Sequence, residues 1–167
     1  MTRLLAMLLL VPLLQACGAE RTPALPVHAT FSETSGLVVE DGHGKTQQLI
    51  PDALDVRAVV SPSGRWIAAE EMKLSNLVVI RAFRFSGNRY EEVALPGIKR
   101  QWEALAAEAG VAFEDLVNPR AGIEGFGPSE STITLLLQAD TGRQGRPELV
   151  ATVEVPLESG TAVGVQR

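Results

Sequence analysis

Residues 56–85 read VRAVVSPSGRWIAAEEMKLSNLVVIRAFRF, and the alternation of apolar runs and chain breakers within them decides the fold class. The run at 56–60 stops at SPSGRW, where Pro62 presets φ, Ser63 bonds locally and Gly64 takes a positive φ without steric cost. Residues 66–70 resume an apolar strand, and KLSN at 73–76 makes a second turn. The following run, 77–85, is the most β-disposed of the chain, dense in Val, Ile and Phe. Runs this short across turns this tight are antiparallel neighbours, because parallel neighbours need a long crossover.

Outward from this segment the same punctuation continues. Leu37-Val38-Val39 and Gln48-Leu49-Ile50 flank DGHGK, with Gly42 and Gly44 available for the turn; after Ser86-Gly87-Asn88 the chain returns through 89–95. Residues 132–139 and 149–155 form a last pair across DTGRQGRP. One segment breaks the pattern. Over 98–109, Ile98, Trp102, Leu105, Ala106 and Ala109 recur at helical spacing, Lys99, Arg100, Glu103 and Glu108 take the other face, and Gly110 supplies a stop. A short helical turn is expected at 113–117, ended by Asn118-Pro119. The predicted fold is mainly β with one inserted amphipathic helix, an antiparallel meander arranged as a β-sandwich or a propeller-like fragment. It occupies a single β-rich domain at 28–157, followed by a flexible tail at 158–167.

An internal repeat accompanies these strands. VVSPSGRWIAAEE (59–71) and GFGPSESTITLLL (125–137) superpose Pro62 on Pro128, Ser63 on Ser129 and Ile67 on Ile133, with FSETSGLVVE (31–40) a weaker third copy. The first copy resembles a blade of WD-type or periplasmic β-propellers, whose repeats carry a Ser-Pro-Asp-Gly-like turn; here Ser63 stands for the aspartate, and the second copy lacks the glycine. Blades of about 40 residues, four or more to a ring, need more chain than this domain offers. A fragment or a sandwich is the economical form.

The chain begins MTRLLAMLLLVPLLQACGAE, and its only cysteine is Cys17. Arg3 followed by the apolar run 4–14 has the layout of an export signal, and the run is too short to span a bilayer, which takes about 20 residues. Leu14-Gln15-Ala16-Cys17 resembles the lipobox of bacterial lipoproteins. That resemblance implies cleavage of signal peptide 1–16 between Ala16 and Cys17, diacylglycerol on the Cys17 sulfur and an acylated new N-terminus. Two or three chains anchor stably where one does not. Gly18, in place of the aspartate that retains such proteins at the inner membrane, implies an outer-membrane location facing the periplasm. Ala16-Cys17-Gly18 also fits a general signal peptidase, but an unpaired secreted thiol invites intermolecular pairing. Residues 17–27, polar and holding Pro23 and Pro26, read as an extended tether.

Charge and chemistry narrow the function further. The formal charge is −5 with basic residues scattered, and Lys99-Arg100 is the densest pair, which points away from nucleic acid. His28 and His43 lack partners at metal-ligand spacing; Asp41-Gly42-His43-Gly44 with Asp52 or Asp55 reads as a solvated turn, so no metal and no cofactor are expected. No G-x-S-x-G or S-x-x-K is present. Glu70-Glu71 and Glu91-Glu92 are adjacent on strands and point to opposite faces, one solvated and one near an edge, which makes poor acid/base couples. Trp66 and Trp102 read as core. No enzyme is expected. The expected role is that of a lipid-anchored, periplasm-facing protein-interaction or assembly accessory module. Its membrane contact runs through the anchor, its partner is an envelope protein, and Lys99, Arg100 and Glu103 form the interaction surface. The alternative is a carrier of a small apolar or lipid-like ligand in a cavity lined by Phe83, Phe85, Trp102 and Phe113.

Overall fold

The structure, a computed structural model, describes residues 23–74, 77–142 and 148–157, together with the backbone of 163–166. The signal segment, Ala16 and Cys17 lie outside the described residues. Three open antiparallel sheets follow one another along the chain. The first holds β1 (His28–Ser32), β2 (Gly36–Glu40) and β3 (Thr46–Ile50); the second holds β4 (Asp55–Val60), β5 (Trp66–Leu74), β6 (Leu77–Phe85) and β7 (Tyr90–Val93). After α1 (Gly97–Glu108) and a 3-10 turn at Phe113–Asp115, the third holds β8 (Val117–Phe126), β9 (Thr132–Asp140) and β10 (Leu149–Pro156), with β11 (Val163–Gln166) beside β10. Every strand pairs with its chain neighbour, so each sheet is a meander, and the mainly β architecture with one inserted helix is the one expected.

The middle sheet is what binds the layers. Side chains alternate across a strand, and in β5 Trp66 and Ala68 enter the core shared with the third sheet while Ile67 and Ala69 enter the core shared with the first. In β6, Ala82 takes the former side and Phe83 the latter. A strand buried on both faces reads as a continuous apolar run, which is why 66–69 stands out in the sequence, and in β6 only Ala82 and Phe83 are buried in this way. In β9, Ile133, Leu135, Leu137 and Ala139 turn one face inward, matched across the ladder by Val155, Val153 and Ala151 of β10.

Helix α1 closes the second core with Trp102 and Ala106 buried and Ile98 and Leu105 partly so. Its end is built by Gly110, at φ 69: Val111 N–H donates to the Ala106 carbonyl and Gly110 N–H to that of Ala107, both at 3.0 Å. This pairing is the Schellman arrangement, and it confirms the predicted stop.

The described chain departs from the expected boundaries at both ends. Pro23 and Val27 are buried, and the Ala24 carbonyl accepts from Gly42 N–H at 2.8 Å, so the last part of the expected tether is docked on the domain. At the other end, residues 163–166 pair with β10 where a tail was expected. Once β9 and β10 are formed, the outer ladder of β10 offers unpaired backbone groups, and a following segment satisfies them.

Candidate functional site

Register and the contacts between turns place the described strand connections at two ends of the molecule. The β2–β3, β4–β5, β6–β7 and β8–β9 turns share one end with the entry of the chain at Pro23. The β1–β2 and β3–β4 connections, the β5–β6 tip and the start of β10 lie at the other end.

The internal repeat is realised at the turn end. In the first copy Gly64 N–H donates to the Ser61 carbonyl (2.8 Å) and Ser61 N–H to that of Trp66 (2.9 Å); in the second, Glu130 N–H donates to Gly127 (2.9 Å) and Gly127 N–H to Thr132 (3.0 Å). The two turns are the same turn. Glu130 therefore occupies the left-handed position that Gly64 fills, at φ 56 against 68. A non-glycine residue there is uncommon and strained, and its side chain explains the choice: the Glu130 carboxylate accepts from Ser63 N–H at 2.8 Å and from the Ser63 hydroxyl. Burial works to raise the Glu130 carboxyl, the Ser63 hydrogen bonds outweigh it, and the group is held below the usual carboxylate range. A cleft of about 490 Å³ opens between the turns, lined by Ser63, Arg65, Trp66, Ser129, Glu130 and Ser131. The carboxylate that would do chemistry there is already committed to holding the second sheet to the third. The weaker third copy forms the β1–β2 hairpin at the far end and does not join the other two.

Gln47 makes the corresponding link between the first two sheets. Its amide donates to the Tyr90 carbonyl at 2.8 Å and accepts from Tyr90 N–H at 2.7 Å, standing in for a strand beside β7. The Tyr90 hydroxyl donates to the Gly64 carbonyl. Burial, with the Asp41 charge adding to it, pushes that phenol up to about 12.

The paired glutamates separate as strand geometry requires: Glu91 and Glu92 are exposed, while Glu70 and Glu71 are drawn into the structure. Glu70 accepts from Ile123 N–H at 2.5 Å, beside the irregularity between Ile123 and Gly125 of β8, and from Arg57 at 3.2 Å. Glu71, expected near an edge or in water, is only 1% exposed and pairs with Lys73 at 2.5 Å and Arg81 at 3.2 Å. Arg81 also donates to Glu92 in a two-point contact. That hydrogen bond lowers the Glu92 carboxyl against the opposing effect of burial. These groups form a closed ion network.

Lys99, Arg100 and Glu103 are exposed on the outer face of α1, with Lys99 and Glu103 paired at 3.5 Å across one helical turn. The carrier's cavity wall does not assemble: Phe83 and Phe85 face the first sheet, while Trp102 and Phe113 belong to the opposite core. Both tryptophans are core residues, as expected.

What sequence reading missed is the far end. Leu54, Leu74, Leu77 and Val79 are 63%, 58%, 47% and 36% exposed; Leu54 precedes β4, Leu74 ends β5 and Leu77 and Val79 begin β6, so register puts them at one end of the second sheet. Val117 and Val150, also exposed, stand at the same end of the third sheet. β7 pairs only with 82–85, so residues 77–81 of β6 have no strand partner on that side among the described residues. Comparison with protein-family models, curated proteins and solved structures found no match.

Proposed function

We propose that this chain is a lipid-anchored, periplasm-facing lipoprotein of the bacterial outer membrane that works by contact, as a protein-interaction or assembly accessory module. The observation that carries the reading is the exposed apolar group of Leu54, Leu74, Leu77 and Val79 at the end of the molecule opposite the chain's entry. Large apolar side chains gathered at one place on a surface mark an interaction site, whereas scattered ones need no explanation. The β6 edge beside them supplies the backbone groups by which an extended segment of a partner adds to a sheet. The role needs no cofactor, no metal and no nucleic acid. The helix surface of Lys99, Arg100 and Glu103 is the competing contact, and it has charge but no apolar centre.

The test compares two variants of the full-length, tagged protein, solubilised from envelopes in detergent. Leu77→Lys with Val79→Lys is expected to remove a co-purifying envelope protein while the thermal midpoint stays near that of the native chain. Reversing charge at Lys99, Arg100 and Glu103 is expected to leave capture intact. Loss of capture only in the helix variant would move the site to α1, and undiminished capture in both would end the contact reading of either surface.

A further inference from the structure

We infer that residues 23–27 act as a strut that points the turn end of the domain at the lipid surface and holds the apolar far end out of its reach. This rests on the anchor reading above, because it takes Cys17 as the lipidated residue.

The strut is built, not merely adjacent. Pro23 and Val27 are buried, and Ala24 is hydrogen-bonded to Gly42 in the β2–β3 turn. A Cβ added to Gly64 would come within 2.8 Å of Leu25 Cδ2 and 2.9 Å of Val27 Cγ2, so the segment also lies tight against the β4–β5 turn. Gly64, at φ 68, leaves room there for both side chains. The chain therefore emerges from the domain at one fixed point, among the turns.

Chain length then fixes the pose. Cys17 and Pro23 are separated by Gly18 to Thr22, and that backbone spans at most about 20 Å when fully extended. β5 alone, from Trp66 at the turn end to Leu74 at the far end, runs about 26 Å at the usual strand rise. An inverted domain, with its far end on the bilayer, lies beyond the tether. Leu25, 57% exposed, is the large apolar side chain that the turn end presents beside the point of emergence. The turns carry Lys45, Arg65 and Arg89 against Asp41 and Glu130, which leaves this end near neutral; the pose depends on the strut and the anchor and not on anionic lipid.

The experiment uses the full, processed protein in phosphatidylcholine vesicles that carry a nitroxide on the headgroup. Maleimide first reports whether Cys17 is free: a reactive thiol in the native protein would overturn the anchor reading, and this inference with it. With Cys17 blocked, a fluorophore is placed at His43→Cys in the β2–β3 turn or at Leu54→Cys at the far end. The His43 probe is expected to lose most of its emission to the nitroxide and the Leu54 probe to keep it. Equal quenching at the two positions, or stronger quenching at 54, would refute the pose while leaving the anchor standing. Gly42→Ala tests the strut itself, since its Cβ would stand 2.3 Å from the Leu25 carbonyl oxygen. In that background, with cooperative unfolding and the far-ultraviolet spectrum retained, the difference between the probes is expected to disappear. Persistence of the difference would show that something other than residues 23–27 orients the domain.

Discussion

Single side chains do the joining between sheets, and their charge states decide when they do it. Glu130 and Glu92 are both held below the ordinary carboxylate range in the folded chain. A depressed folded pKa contributes stability that is present above the unfolded value, about 4.3 for glutamate, and is lost as pH falls through the folded value. The thermal midpoint is therefore expected to be flat near neutrality and to fall in acid, and Glu130→Gln, which cannot titrate, should show a shallower fall. An identical acid slope in the variant would place the titrating groups elsewhere. Arg81 makes a different case, because Glu71 beneath it is buried and keeps only Lys73 when the guanidinium goes. Arg81→Met should cost about 3 kcal/mol in denaturant unfolding, the usual effect of stranding a buried charge. Adding Glu71→Met should recover much of that loss, since no buried charge then goes unpaired and the partners left over, Lys73 and Glu92, are about half exposed to water. If the double variant is weaker still, the network stabilises by more than avoiding a stranded carboxylate.

At the scale of elements, α1 makes opposite forecasts for its two faces. Trp102 is 7% exposed in the core between the second and third sheets, so Trp102→Ala should destabilise by about 3 to 5 kcal/mol. Charge reversal at Arg100 on the outer face should stay within about 0.5 kcal/mol. Equal effects from both, measured by urea unfolding, would mean that the helix is not seated as described. This helix was legible because its period, its apolar face and Gly110 all agree, and so were the strands that border glycine- and proline-marked turns. β8 was not. Its sequence VNPRAGIEGF holds Pro119, Gly122 and Gly125, each of which argues against a strand, and Asn118 sits at φ 51. The strand tolerates Pro119 because its ladder with β9 shifts register between Val117 and Arg120, so Asn118 and Pro119 need not pair, while Gly122 and Gly125 keep their partners Leu136 and Thr134 on either side of a second shift at Glu124. The clamp at Glu130 was hidden for a related reason. The missing glycine reads as a broken repeat, yet the backbone keeps the glycine conformation and puts the carboxylate to use. Of the contact surfaces, the helix charges could be read from spacing alone. The apolar far end could not, because 77–80 and 82–83 read as equally apolar and only the ending of β7 at Val93 leaves the first half of the strand uncovered.

The whole molecule has two cores that share one sheet, and this sharing determines how it unfolds. Adjacent residues of β5 serve different cores: Ile67, fully buried, faces the first sheet, while Trp66 and Ala68 face the third. Emptying the first core cannot be local if β5 must hold its register for the second. Ile67→Ala removes a buried side chain and should cost about 2 to 5 kcal/mol. The two tryptophans, Trp66 and Trp102, both report on the other core, which the substitution does not touch. In a single cooperative unit, the urea midpoint followed by tryptophan fluorescence falls together with the midpoint followed by far-ultraviolet circular dichroism, and the two curves superimpose. If the first sheet were instead an independent layer, circular dichroism would show an early partial loss while the fluorescence midpoint stayed at its native value. Coincidence is the expected result, because a β5 freed on one face still carries the ladders to β4 and β6 that both cores require.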